Sequence, residues 1–84
     1  MKYKLICEVS FPQFDISMDV TIPYNKSIYY VCEMLNKLII DDIMPTYKPK
    51  KNSILINKRT GEVYDMNILV HQSTIKNGTK LAFY

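Results

Sequence analysis

The stretch from residue 14 to residue 39 reads FDISMDVTIPYNKSIYYVCEMLNKLI, and its apolar residues change their spacing at Pro23. Before the proline every second residue is apolar: Phe14, Ile16, Met18, Val20 and Ile22. After it the apolar residues recur at steps of three and four: Ile28, Val31, Leu35, Leu38 and Ile39. The first spacing is typical of a half-buried strand and the second of an amphipathic helix. The stretch therefore predicts a strand and then a helix, with Ser27 as its N-cap and an end near Asp41 and Asp42.

The segments on either side of this unit predict further strands. Residues 2–10 also alternate, through Tyr3, Leu5, Cys7 and Val9, and so predict an antiparallel hairpin with residues 14–22. An exposed connection is expected at 44–52, and short strands are expected at 53–57, 62–64 and 80–84, with turns at Gly61 and at Asn77-Gly78. This order predicts an α+β fold of the β-grasp type, with a mixed sheet of four to five strands and one packed helix. We expect a single domain over residues 1–84.

The apolar positions of these elements predict the core. Its expected members are Leu5, Phe14, Ile16, Val20, Ile28, Val31, Leu35, Leu38, Ile54, Ile75, Leu81 and Phe83. In the irregular segment 65–75, the chain is expected to be pinned to this core by Leu69 or Val70 and by Ile75.

Composition narrows the class of protein. The chain has 84 residues, 48% of them hydrophobic and 23% charged, with a formal net charge of +3. Such a chain is globular, and its small size leaves little material for a deep substrate pocket. The N-terminal apolar run is interrupted by Glu8, and no stretch is long enough to span a bilayer. We therefore expect a cytoplasmic protein without membrane insertion, whose two cysteines stay reduced.

The sequence is poor in groups that carry chemistry. His71 is the only histidine, and it is expected to bond backbone groups in a loop rather than act as a base. Cys7 and Cys32 fall on or beside apolar stripes, so we expect small core residues rather than nucleophiles. Two cysteines and one histidine do not complete a zinc or iron–sulfur site. These features predict a protein that is not an enzyme and binds no cofactor or metal.

Two groups of surface residues are candidates for binding. On the predicted helix, Tyr29, Tyr30 and Ile40 point away from the core stripe, and exposed aromatic residues often mark contact surfaces. In the connection at 44–52, a basic loop carries Lys48, Lys50 and Lys51 beside Tyr47. The loop could contact phosphates, but a single cluster provides too few contacts for useful affinity. We expect a solvated loop and no appreciable nucleic-acid binding at physiological salt.

The residues from Ile54 onward, ILINKRTGEVYDMNILVHQSTIKNGTKLAFY, resemble the second half of a ubiquitin-like domain. The hairpin ending in Val20-Thr21-Ile22-Pro23 and the helix capped at Ser27 agree with its first half. Within that superfamily, the segment Thr74–Leu81, TIKNGTKL, resembles the corner before the last strand of the YukD/EsaB group. These are small bacterial ubiquitin-like proteins that accompany type VII secretion systems.

The resemblance implies a binding module. Ubiquitin and the sulfur-carrier proteins act through a flexible tail that ends in two glycines, whereas this sequence stops at Tyr84, inside the predicted last strand. We therefore expect neither conjugation nor thiocarboxylate chemistry. The implied role is an accessory or regulatory component at the cytoplasmic face of a type VII secretion complex. The alternative is a ubiquitin-like adaptor or small subunit of another bacterial complex, such as a multicomponent oxygenase.

The resemblance also implies where protein partners bind. Ubiquitin uses the outward face of its sheet, and the matching positions here are Leu55, Ala82 and Tyr84. The alternative is the helix surface with Tyr29, Tyr30 and Ile40, used for a partner or for self-association into a homo-oligomer.

Overall fold

The computed structural model describes residues 4–84 and contains four strands and one α-helix. The strands are β1 (Lys4–Phe11), β2 (Ile16–Pro23), β3 (Leu55–Asn57) and β4 (Lys80–Phe83), and the helix is α1 (Ile28–Leu38). Short 3-10 turns at Pro12–Phe14 and Val70–Gln72 join these elements. The expected α+β arrangement is confirmed, although Tyr3, which was expected in the first strand, lies outside the described residues.

The sheet has the order β2-β1-β4-β3. β1 is antiparallel to β2 and parallel to β4, and β3 is antiparallel to β4, so the sheet is mixed. Residues 62–64 do not form the fifth strand that their sequence suggested. Only a single bridge joins Val63 to Ile56, because the turn around Gly61 brings the chain back beside β3 for one pair.

The N-terminus of α1 is fixed by hydrogen bonds that leave none of its first three amides free. The Ser27 side chain accepts a hydrogen bond from the amide of Tyr30 at 3.0 Å, which confirms the predicted N-cap. The amides of Ile28 and Tyr29 donate to the carbonyls of Ile68 and Met66 at 2.9 and 3.0 Å. The segment before the Val70–Gln72 turn is thereby held against the helix, and Val70 and Ile75 are buried as expected.

The C-terminus of α1 continues into a π-helical turn, Ile39–Ile43. The amide of Met44 donates to the carbonyl of Ile39 at 2.7 Å, which closes the wider turn, and Pro45 follows. Asp41 lies in this turn and pairs with Lys37 at 3.3 Å, both side chains being exposed. The helical segment thus ends where the sequence predicted.

The core lies between α1 and one face of the sheet. Many expected members are buried: Val20, Ile28, Val31, Leu35, Ile75, Leu81 and Phe83. Leu5, Phe14 and Leu38 are only partly buried and pack against it. The prediction that Ile16 and Ile54 belong to the core is wrong, because Ile16 begins β2, Ile54 lies just before β3, and they are 36% and 38% exposed. Cys7, Cys32 and Val70 are buried, as predicted. Further core residues were not among the expected members: Val9, Phe11, Ile22, Ile39, Leu55 and Tyr64.

Candidate protein-binding surfaces

On β3, the residue that faces outward is not the one that was predicted. Leu55 is fully buried and pairs with Phe83 in the core, so the prediction that Leu55 lies on the outward face is wrong. Side chains alternate along a strand, and therefore Ile56 faces outward and Leu55 inward. Ile56 is opposite Ala82, which in turn is opposite Ser10 on β1.

The centre of this face is closed by polar contacts. Ala82 is only 4% exposed, whereas Tyr84 is 43% exposed. The Lys58 ammonium donates to the Ser10 hydroxyl at 2.9 Å, and the Ser10 and Ser17 hydroxyls are 2.9 Å apart. A cleft of about 450 Å³ remains between these residues and Tyr84. Of the three predicted binding positions on the sheet, only Tyr84 offers substantial surface.

One row further along the same face, Lys80 pairs with Glu8 at 3.0 Å. The hydrogen bond and charge of Lys80 lower the pKa of the Glu8 carboxyl, and Lys58 lowers it further by a smaller amount. The charged side chains at the centre of the outward face are thus engaged with one another or with serine hydroxyls.

The three residues predicted on the helix surface differ in position and exposure. Tyr29 is 59% exposed and Tyr30 is 47% exposed, but they line different depressions. Tyr30 stands beside Glu33, Met34 and Lys37, and its ring is 5.2 Å from the Lys26 ammonium. Ile40 is half-buried in the π-helical turn and lines neither depression. The three residues therefore do not line one common depression, although Glu33 borders both of the depressions that contain the tyrosines.

Tyr29 instead lines a groove between α1 and the segment that leads into β3. The groove has a volume of about 430 Å³, and its lining residues are Tyr29, Cys32, Glu33, Lys50, Lys51, Asn52, Ser53, Ile54 and Met66. We call it the α1–β3 groove. Its far wall is fixed because the backbones of Ile54 and Tyr84 exchange hydrogen bonds of 3.3 and 3.0 Å.

The floor of the α1–β3 groove is apolar and contains sulfur. The Cys32 and Met66 sulfur atoms are 3.7 Å apart, and Cys32 is 3% exposed. Burial, together with the nearby charge of Glu33, raises the pKa of the Cys32 thiol to about 12. The thiol is therefore protonated at neutral pH and acts as a small apolar group, as the sequence predicted.

The three lysines of the basic loop also lie at different places on the surface. Lys50 and Lys51 line the α1–β3 groove, whereas Lys48 does not. Within residues 4–84 the ion pairs are Lys37–Asp41 and Lys80–Glu8, so Lys50 and Lys51 have no described carboxylate partner. In the sequence, Tyr29 and these lysines are separate candidates, on the helix and in the loop. Nothing in the sequence indicated that Met66 would join them, because α1, residues 50–54 and Met66 form three segments that meet only in the folded chain.

The groups considered for catalysis are dispersed. The His71 ring lies beside the Tyr24 ring with a centroid distance of 5.3 Å and a tilt of 46°, and the His71 amide donates to the Tyr24 carbonyl at 3.1 Å. Cys7 is fully buried, its thiol donates to the Lys76 carbonyl at 3.3 Å, and burial raises its pKa. Among residues 4–84, no three His, Cys, Asp or Glu side chains converge as metal ligands would.

A separate observation concerns membranes. Across the part of the chain that the structure describes, no helix combines the length and the apolar character that crossing a bilayer requires.

Comparison with known proteins relates the chain to others through structure. No protein-family model and no curated protein sequence matches it. A chain of the MycP5-free ESX-5 inner membrane complex in State II superposes with a TM-score of 0.79 and 9% identity, over 99% of this chain and 21% of that chain. A chain of the toluene 4 monooxygenase HD complex with the inhibitor 4-bromobenzoate gives a TM-score of 0.73 and 14% identity, with 95% of both chains covered.

The ubiquitin-like domain of the Mycobacterium tuberculosis type VII secretion protein ECCD1 is also similar. It gives a TM-score of 0.64 and 8% identity, with 98% of both chains covered. Further similar structures are likewise ubiquitin-like domains. Identities this low relate folds rather than functions. A mixed four-stranded sheet packed on one helix, superposed on these domains over nearly its whole length, shows that the chain has a ubiquitin-like β-grasp fold.

Proposed function

We propose that this chain is a non-catalytic protein-binding module of a bacterial type VII secretion system, acting as an accessory or regulatory component at the cytoplasmic face of the membrane complex. The observation that carries the binding role is the α1–β3 groove, where exposed Tyr29 and Ile54 stand beside two lysines without described acidic partners. Exposed aromatic and apolar residues with a polar rim are typical of a surface that another protein covers.

Two similarities support the secretion system as the setting. The sequence of the corner Thr74–Leu81 resembles the YukD/EsaB group, and the fold resembles the ECCD1 domain and a chain of the ESX-5 inner membrane complex. The similar toluene monooxygenase chain supports the alternative, a small subunit of a multicomponent oxygenase. Both roles need a partner, and they predict different partners.

The test is capture of the tagged chain from cells of its source organism after mild crosslinking, with partners identified by mass spectrometry. We expect components of the membrane secretion complex, and we expect deletion of the gene to lower secretion of that system's substrates. Complementation should succeed with the wild type and fail with a folded Tyr29→Asp variant. Recovery of soluble oxygenase subunits alone, with secretion unchanged in the deletion strain, would refute the secretion role.

A further inference from the structure

We propose that the α1–β3 groove binds an extended peptide segment of a partner protein, in which one or two apolar side chains are followed by acidic residues. This inference deepens the proposed function and rests on its claim that the chain binds proteins. It specifies the surface, the chemistry of the occupant and the direction in which it lies.

The floor and rim of the groove would bind the apolar side chains of the occupant. The buried thiol of Cys32 and the half-buried Met66 form the floor, and Tyr29 and Ile54 stand on the rim. A thioether and a protonated thiol adapt to apolar side chains of different shapes. The groove, of about 430 Å³, is close in volume to the cleft of about 450 Å³ on the outward face, so its lining and not its size distinguishes it.

Lys50 and Lys51 would recognise the acidic residues of the occupant. They lie next to each other on one wall, and neither has a carboxylate partner within residues 4–84. Glu33 lies on the α1 side of the same groove. An acidic residue of the occupant is therefore attracted to the lysine wall and repelled by the helix wall, which fixes the direction of the segment.

The helix N-terminus takes no part in this recognition. The amides of Ile28, Tyr29 and Tyr30, which would otherwise attract an anion, donate to Ile68, Met66 and the Ser27 hydroxyl. These bonds also hold Met66 in place before any ligand arrives, so binding requires little reorganisation of the groove. The lysine side chains are left as the groups that select a negative charge.

A second copy of the chain is a poorer occupant than a partner's peptide. Its own apolar and acidic segment, Ile39–Ile43, is folded into the π-helical turn, with Ile39 buried and Asp41 paired to Lys37. This segment could enter the groove of another copy only after unfolding. A nucleic acid is also disfavoured, because its phosphates would leave the apolar floor unfilled and because Lys48 lies outside the groove.

The probe is a fluorescein-labelled ten-residue peptide with two leucines followed by three aspartates, in otherwise Gly and Ser sequence. Controls are a peptide with lysines in place of the aspartates and an oligothymidine. Fluorescence anisotropy should give saturable binding of the acidic peptide alone, weakened by salt. Amide chemical shifts should move at Cys32, Ser53 and Met66.

Matched pairs of variants give the decisive comparison. The double change Lys50→Glu and Lys51→Glu should weaken binding by about tenfold or more, and Lys48→Glu by less than about twofold. Tyr29→Ser should weaken binding by about tenfold, and Tyr30→Ser should leave it unchanged within about twofold. Circular dichroism is needed to check that each variant is folded.

Several results would overturn the inference. They are no binding of the acidic peptide at millimolar concentration, equal binding of the lysine peptide or oligothymidine, equal effects of the matched variants, or shifts confined to the outward face around Tyr84. Peptide binding without capture of secretion components would instead refute only the secretion role. Capture that survives Tyr29→Ser would refute only the groove.

Discussion

The outward face of the sheet and the α1–β3 groove both contain lysines and tyrosines or other apolar residues. The two surfaces differ in whether their lysines are paired with other side chains. On the sheet, Lys80 is paired with Glu8, Lys58 donates to Ser10, and Ala82 is nearly buried. In the groove, Lys50 and Lys51 have no described acidic partner, and Tyr29 is 59% exposed. We place the proposed binding site in the groove for this reason, because its rim side chains are exposed and its lysines are not already paired with carboxylates within residues 4–84.

The largest expected effect tests the packing that holds the groove. Leu35 is fully buried in the middle of α1, and Leu35→Ala should reduce the free energy of unfolding by about 2–5 kcal/mol because it leaves a cavity between the helix and the sheet. Chemical denaturation measures the change. The control Ile54→Ala, at a 38% exposed position, should cost far less. A loss below about 0.5 kcal/mol for Leu35→Ala, no larger than that of a typical surface change, would contradict the packing described.

The next prediction compares the two surfaces directly. Tyr29→Asp places a charge on the apolar rim of the groove, and Ile56→Asp does the same on the outward face. Capture of the cellular partner should fall by about tenfold or more with Tyr29→Asp and should change little with Ile56→Asp. The reverse pattern, measured by quantitative mass spectrometry at equal bait levels, would move the binding site to the sheet.

Hydroxyl groups offer a similar comparison at a smaller scale. Ser27→Ala removes the N-cap of α1 and should lower the free energy of unfolding by about 1 kcal/mol. Ser10→Ala should cost less, about 0.5 kcal/mol, because Ser17 and Lys58 are exposed and can bond water instead. Thermal melts of both variants against the wild type measure the difference. Equal losses would mean that the polar contacts of the sheet contribute as much as the helix cap.

The smallest expected effect concerns the ion pair on the outward face. Because Lys80 lowers the pKa of Glu8, the carboxyl stays ionised to lower pH in the folded state than in the unfolded chain. The resulting stabilisation is present above the ordinary value of 4.5 and is lost as the pH falls below it, through the lowered pKa. NMR titration should show the pKa of Glu8 return toward its ordinary value in Lys80→Met and in high salt, but not in Lys76→Met. An unchanged pKa in Lys80→Met would refute the pairing.

The order of elements, the N-cap at Ser27 and the apolar stripe of α1 could be predicted from the sequence, because each depends on neighbours within a few residues. The register of β3 could not. Ile54, Leu55 and Ile56 are consecutive apolar residues without alternation, so either parity fits the sequence. The choice is made by pairing of Leu55 with Phe83 on β4, which turns Leu55 into the core and Ile56 outward.

The candidate site could likewise be predicted from the sequence only in part. Its exposed tyrosine and its lysines could be named from the sequence, since spacing and composition mark them. Their assembly into a groove could not, because Tyr29, Lys50 and Met66 belong to segments that meet only when backbone hydrogen bonds tie residues 66–68 to the start of α1. The sequence by itself determined which residue types could bind, but not which of them are exposed, since Leu55 and Ala82 are buried. The tertiary structure decided which of them act together, because contacts between distant segments depend on the packing of the whole chain.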